Sequence, residues 1–158
     1  MNVKTVPLWM RGFGVLVGFS TLLSSTILAG VIWIKPDDFT AVEKNSTAPS
    51  DIYPGALWSQ RGNFYKVIPL PVGVRPVKLV AYIRGFTSSS ALVELTRVKF
   101  GQDIETLAAI ESAGLTDGIV ALQTTTFTPN TLTTKNYRYC IMVNLMYDYC
   151  HGVKVFYE

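Results

Sequence analysis

The sequence predicts one membrane-spanning α-helix followed by an all-β, antiparallel sandwich, and three observations carry that expectation. Residues 12–34 are 23 consecutive positions without a charge. From Phe64 onward, short runs rich in β-branched and aromatic residues recur between turn formers. The formal charge of +3 is local: Lys4, Arg11 and Lys35 supply all of it, leaving eleven basic and eleven acidic residues over 36–158.

The helix is taken over 12–35, after a short tail of residues 1–11. About 20 apolar residues cross ~30 Å of hydrocarbon. Trp9 and Trp33 stand 24 positions apart, or about 36 Å along a helix. With Arg11 and Lys35 they form the expected membrane-interface set. Pro36 and Asp37-Asp38 mark the exit into water. A secretory signal peptide competes with this reading. Its apolar core would run about 7–15 residues to a small-x-small cleavage site. The best such site, after Ala29, has Ile27 where a small residue is preferred, so a retained anchor is expected. The short tail places the N-terminus in the cytoplasm and the C-terminal domain outside, in the periplasm or extracellular space. Gly14, Gly18, Thr21, Ser25 and Ala29 fall on one helix stripe, a docking face for another transmembrane helix. Ten of the 23 residues are Gly, Ala, Ser or Thr, so composition alone also yields such a stripe.

Residues 36–63 read as a polar linker, punctuated by Pro36, Pro49, Pro54 and Gly55. Tyr53, Leu57 and Trp58 are the linker residues able to dock on the domain or lie at the bilayer surface, and Asn45-Ser46-Thr47 is a three-residue sequon of low weight. Residues 64–158 form the sandwich domain. Val77–Ile83, Leu92–Phe100, Ile119–Phe127, Tyr137–Leu145 and Val153–Tyr157 are its strand-like runs. In the fourth, Tyr139, Ile141, Val143 and Leu145 share the core face, opposite Arg138, Cys140, Met142 and Asn144. In the last, Val153, Val155 and Tyr157 oppose Lys154 and Phe156. Ile104–Glu111 is the exception: its 3–4 spacing fits a helical turn, a strand is the alternative, and periodicity alone cannot settle so short a run.

The order Leu70-Pro-x-Gly-Val74, Val77-Lys-Leu-Val-Ala-Tyr82, Val93-Glu-Leu-Thr-Arg97, a Thr-rich strand, Asn136-Tyr-Arg-Tyr139 and Gly152-Val-Lys-Val-Phe-Tyr157 resembles the small jelly-roll β-sandwich domains of exported bacterial and viral structural or surface proteins. The resemblance covers residues 64–158 and implies assembly or binding rather than catalysis.

The motifs that carry chemistry are mostly absent. His151 is the only histidine, and its neighbour Cys150 would point to the opposite side of a strand. No metalloprotease, phosphate-loop or dinucleotide-binding motif occurs, and neither a metal nor a cofactor is expected. Glu94, Asp103, Glu105, Glu111 and Asp117 are the carboxylates available to a hydrolase, and nothing in their spacing pairs them. Cys140 and Cys150 are disulfide candidates in an exported domain. A tight turn at Tyr147-Asp148 would instead hold them apart. Nine basic against seven acidic residues over 64–158 give no footprint for nucleic acid. Phe64, Tyr65, Tyr82, Phe86, Tyr147, Tyr149 and Phe156 leave some aromatics for interfaces.

The expected function is a non-catalytic structural or accessory subunit of a larger membrane assembly, such as a photosynthetic, respiratory, secretion or virion complex. Its partners would be the lipid bilayer, other transmembrane helices and exported protein subunits. The alternative is a membrane-tethered module that binds glycan or peptide at the surface; a small carboxylate-based hydrolase comes third.

Overall fold

Burial alternates along Arg138–Met146 as a two-faced strand requires. Tyr139, Ile141, Val143 and Leu145 are at most 4% exposed, and the residues between them are open or half-open. That alternation is the unit from which the computed structural model is built. The structure describes residues 29–42, 50–53, 55–85, 89–99, 101–113 and 118–158.

Among these residues the strands are β1 (Gly30–Ile34), β2 (Thr40–Ala41), β3 (Ser50–Tyr53), β4 (Ala56–Ser59), β5 (Gly62–Ile68), β6 (Pro76–Arg84), β7 (Ser90–Val98), β8 (Ile104–Ala113), β9 (Ile119–Thr124), β10 (Arg138–Met146) and β11 (Asp148–Tyr157). They form two antiparallel sheets. One has six strands in the order β3-β4-β11-β6-β9, with β1 also paired to β11; the other has five, β2-β5-β10-β7-β8. β4 takes the first part of one β11 edge, at residues 148–150, and β1 takes the rest, at 153–157. The sheets close on Phe64, Leu79, Ile83, Val93, Leu95, Ile141, Val143, Val153 and Val155, all at most 1% exposed. The result is a jelly-roll-like sandwich.

The connections explain how a chain this short supplies both layers. After β1, a short 3₁₀ turn at Pro36–Asp38 carries the chain across to β2. Asp38 Oδ2 accepts the Lys35 N–H at 2.9 Å, and Pro36 and Phe39 are buried beneath the turn. Tyr147 alone separates β10 from β11, and its φ of 61° turns the chain from one sheet to the other. At the start of β11, Asp148 is wholly buried. Its Oδ2 accepts the Ser112 hydroxyl at 3.1 Å, and Ser112 Oγ accepts the Ala91 N–H at 2.9 Å. Ser59 and Ser89 are buried as well.

Several expectations are corrected. The helix predicted over 12–35 does not reach its end: Gly30–Ile34 is a strand in register with Val153–Tyr157. Apolar content favoured a membrane helix, but β-branched Val31, Ile32 and Ile34 suit a pleat equally. Ile34 enters the core and Trp33 faces out. Trp33 and Lys35 therefore do not bracket a helix end. Trp9, Arg11, Gly14, Gly18, Thr21 and Ser25 lie outside the described residues, and Ala29 directly precedes β1. Among the described residues no helix is long and apolar enough to cross a membrane.

The sandwich begins at Gly30 rather than Phe64, because the polar stretch 36–63 supplies β2, β3, β4 and the start of β5. Among its described apolar residues, Phe39, Ala56 and Leu57 are buried. Residues 104–111 take the strand alternative, as part of β8, rather than a helical turn. A register shift opposite Leu95/Thr96 makes Leu107 an extra residue in the ladder. Leu107 and Ala108 are then both buried, as is Ile110, and this bulge produced the helix-like spacing. The thiols of Cys140 and Cys150 are free. The two residues sit in opposite sheets, Cys140 facing Val67 and Thr96, Cys150 facing Leu57 and Ile83.

A candidate binding face on the six-stranded sheet

The registers of β1, β11, β6 and β9 place Val31, Trp33, Tyr149, Lys154, Phe156, Lys78, Tyr82, Arg84, Ile119 and Gln123 on one outward side. Local sequence explains the row: Val153-Lys-Val-Phe alternates, so Lys154 and Phe156 point away from the core that Val153 and Val155 fill. Trp33 pairs with Lys154 across the ladder. The Lys154 ammonium lies 4.8 Å from the Trp33 ring centre and 5.2 Å from that of Tyr82. The two rings meet edge to face at 5.4 Å. Lys78 Nζ stands 5.5 Å over Phe156. A cation held over an aromatic face at these distances is attracted by the ring quadrupole.

Gly152 makes the arrangement sterically feasible. It has φ 133°, and a Cβ there would approach Trp33 ring carbons at 2.9 and 3.1 Å and the Ile34 carbonyl at 2.9 Å. Without that side chain, the indole can cross β11. A register shift between Cys150 and Val153 accommodates the glycine and keeps Cys150 and Val153 inward. Further along, Trp58 on β4 pairs with Tyr149, ring centres 6.3 Å apart. The outward side of β1, β11, β6 and β9 thus carries Lys78, Arg84 and Lys154 and no carboxylate. Trp33 remains 39% exposed and Val31 51%.

The other candidates are dispersed. His151 Nδ1 lies 2.9 Å from the Gly55 carbonyl. A carbonyl only accepts, so Nδ1 carries the proton, and the buried Nε2 has no hydrogen-bond partner among the described residues. The Cys150 side chain is in the core, so the two neighbours do not form a nucleophile–base pair. Burial pushes the Cys150 thiol up to about 12 despite its contact with the Gly152 carbonyl, and it raises the half-buried Cys140 thiol as well.

Glu94 accepts the Thr106 hydroxyl at 3.0 Å, and Glu105 is bound to Arg97 Nε at 2.7 Å, a bond that raises the Arg97 pKa. Glu111 lines a shallow cleft with Ser90, Leu92 and Asn144 on the five-stranded sheet. Asp103 is an exposed loop residue, and Asp117 lies outside the described residues. Among the described residues no three of His, Cys, Asp and Glu cluster as metal ligands.

Trp33 joins this face through its place on β1 rather than at a helix end, and nothing in the sequence separates Tyr82, Tyr149 and Phe156 from the other aromatics. The period-2 pattern showed that Lys154 and Phe156 face outward. It could not show that β1, 120 residues away, lies beside them.

No protein-family model and no curated protein matches the chain. Among solved structures it is similar to the CBM36-1 domain of a multidomain xylanase from the hindgut metagenome of Trinervitermes trinervoides. The identity is 14%, over 80% of this chain and 96% of that one, with a TM-score of 0.45. It is also similar to TmCBM61 in complex with β-1,4-galactotriose, at 16% identity over 83% and 84% of the two chains and a TM-score of 0.36. Neither likeness identifies what this chain binds.

Proposed function

We propose that the chain is an exported, non-catalytic carbohydrate-binding module whose recognition surface is the outward side of the six-stranded sheet. The single observation that carries this reading is the Trp33–Tyr82–Lys154 cluster with Phe156 beside it on the outward side of the sheet. A pyranose ring presents an apolar C–H face and a rim of hydroxyls. An aromatic row matches the first, and Lys78, Arg84, Lys154 and Gln123 supply hydrogen bonds to the second. Peptides in extended form join sheet edges through main-chain hydrogen bonds. Here the strands that carry Tyr82, Lys154 and Phe156 are paired on both sides within the sheet, and only Trp33 stands on an edge strand. That favours a ligand which stacks on a face over one which extends an edge.

Export belongs to this proposal through the uncharged run 12–34, whose last five residues are strand β1. Whether that run is retained as an anchor or cleaved after Ala29 is decided by intact mass of the exported protein.

Affinity electrophoresis against a panel of neutral plant and bacterial polysaccharides tests the reading. The native chain should be retarded by at least one, and Trp33→Ala and Tyr82→Ala should each weaken retardation about tenfold. That corresponds to ~1.4 kcal/mol, within the range of one aromatic contact. A native chain that migrates unretarded through the whole panel, or variants indistinguishable from it, would overturn the reading.

A further inference from the structure

A second cleft lies at the end of the five-stranded sheet, away from the aromatic face. Two hydrogen-bonded turns build it. In the β7–β8 turn, the Gln102 N–H donates to the Lys99 carbonyl at 3.0 Å; in the turn entering β10, the Tyr137 N–H donates to the Thr134 carbonyl at 3.3 Å. Gly101 takes φ 75° in the first, with open space where a side chain would stand.

Val98, Lys99, Gly101, Lys135, Asn136, Tyr137 and Arg138 line a volume of about 470 Å³, within the size range of small-ligand sites. Among the described residues that line it are three cations and no carboxylate. Among the described residues none of the three is ion-paired. The nearby Glu105 is already held by Arg97 at 2.7 Å, so it does not neutralise them.

Tyr137 is braced from behind. The Arg97 guanidinium sits 4.5 Å from its ring centre and is itself fixed by Glu105 and by the Thr131 hydroxyl at 2.7 Å. Like charges gathered around a cavity repel one another, and an anion placed among them relieves that repulsion.

We infer that this cleft is a binding site for one acidic sugar residue, its carboxylate or sulfate among Lys99, Lys135 and Arg138 and its ring against Tyr137. A nucleic acid would require a continued track of cations for its repeating phosphates. This site has three, and the chain from Phe64 onward is nearly balanced in charge. The choice of a sugar as carrier of the anion rests on the carbohydrate reading above, whereas the anion site stands on its own charges.

Calorimetric titration of the native chain with trigalacturonate, with its neutral carboxyl-reduced counterpart and with a short single-stranded DNA tests the inference. A Lys99→Gln/Lys135→Gln/Arg138→Gln variant and Trp33→Ala serve as comparisons. All three substitutions are at exposed positions, so folding should persist, and a thermal melt verifies it. The expected result is trigalacturonate binding that weakens with salt, drops at least thirtyfold in the triple variant and exceeds binding of the neutral sugar. Native-like trigalacturonate affinity in the folded triple variant overturns the inference. So does equal affinity for the neutral sugar, or cleft-dependent binding of DNA alone. Cleft-dependent uronate binding alongside no effect of Trp33→Ala on any glycan would uphold this site while refuting the aromatic face.

Discussion

At the scale of the residue, the clearest consequences concern buried polar atoms and thiols. Ser112 is the link between Asp148 and the Ala91 N–H. Ser112→Ala leaves two buried groups without partners, at ~1–3 kcal/mol for each. A stability loss of about 3 kcal/mol by urea denaturation is expected. Cys150 shows a different dependence. Its folded pKa is raised to about 12 from an ordinary 9.0, so the folded state disfavours the thiolate. The stability this provides is complete below the unfolded thiol's range and is lost as pH rises from about 9 towards 12. Stability of Cys150→Ala should therefore fall less steeply over that alkaline window than stability of the native chain. At pH 8 an aromatic disulfide reagent should label Cys140 slowly and Cys150 only after unfolding; a quantitative absence of both thiols would instead indicate a bridge.

At the scale of the element, β1 is the strand that sequence reading most completely misassigned. Val31, Ile32, Trp33 and Ile34 were legible as apolar. The choice between lipid and sheet depended on the partner strand, and Val153–Tyr157 supplied it from the far end of the chain. Where pairing partners mattered less, the pattern sufficed. Tyr139, Ile141, Val143 and Leu145 were predicted inward and are inward. β8 falls between these cases, because the bulge at Leu107 disguised a strand as helical spacing. The β1–β11 seam also yields a substitution test. Gly152→Ala forces a Cβ against the Trp33 ring and the Ile34 carbonyl at a φ side chains avoid. It should lower the melting temperature by several degrees and shift the tryptophan fluorescence. Gly118→Ala, at the same φ of 133° but in open space, should leave that fluorescence unchanged.

At the scale of the whole molecule, the domain boundary decides whether the chain folds. Ile34, Phe39 and Leu57 lie in the core before residue 64, and each buried side chain of that size contributes ~1.5–3 kcal/mol. Their sum takes up most of the ~5–15 kcal/mol that holds a domain together. A chain starting at Gly30 should melt cooperatively; one starting at Phe64 should show neither a cooperative melt nor dispersed amide resonances. The candidate face is assembled on the same scale, from strands whose residues run from 31 to 156. Individual outward positions such as Lys154 were readable one strand at a time, but their convergence was not.

The most direct test of the central claim is an amide-resonance titration of the chain from Gly30 with soluble oligosaccharides from the polysaccharide that retards it best. The account predicts saturable shifts at Trp33, including its indole N–H, and at Tyr82, Lys154 and Phe156, with the outward side of β10 unaffected. Saturable shifts confined to the five-stranded sheet, or none near Trp33 at saturation, would contradict it.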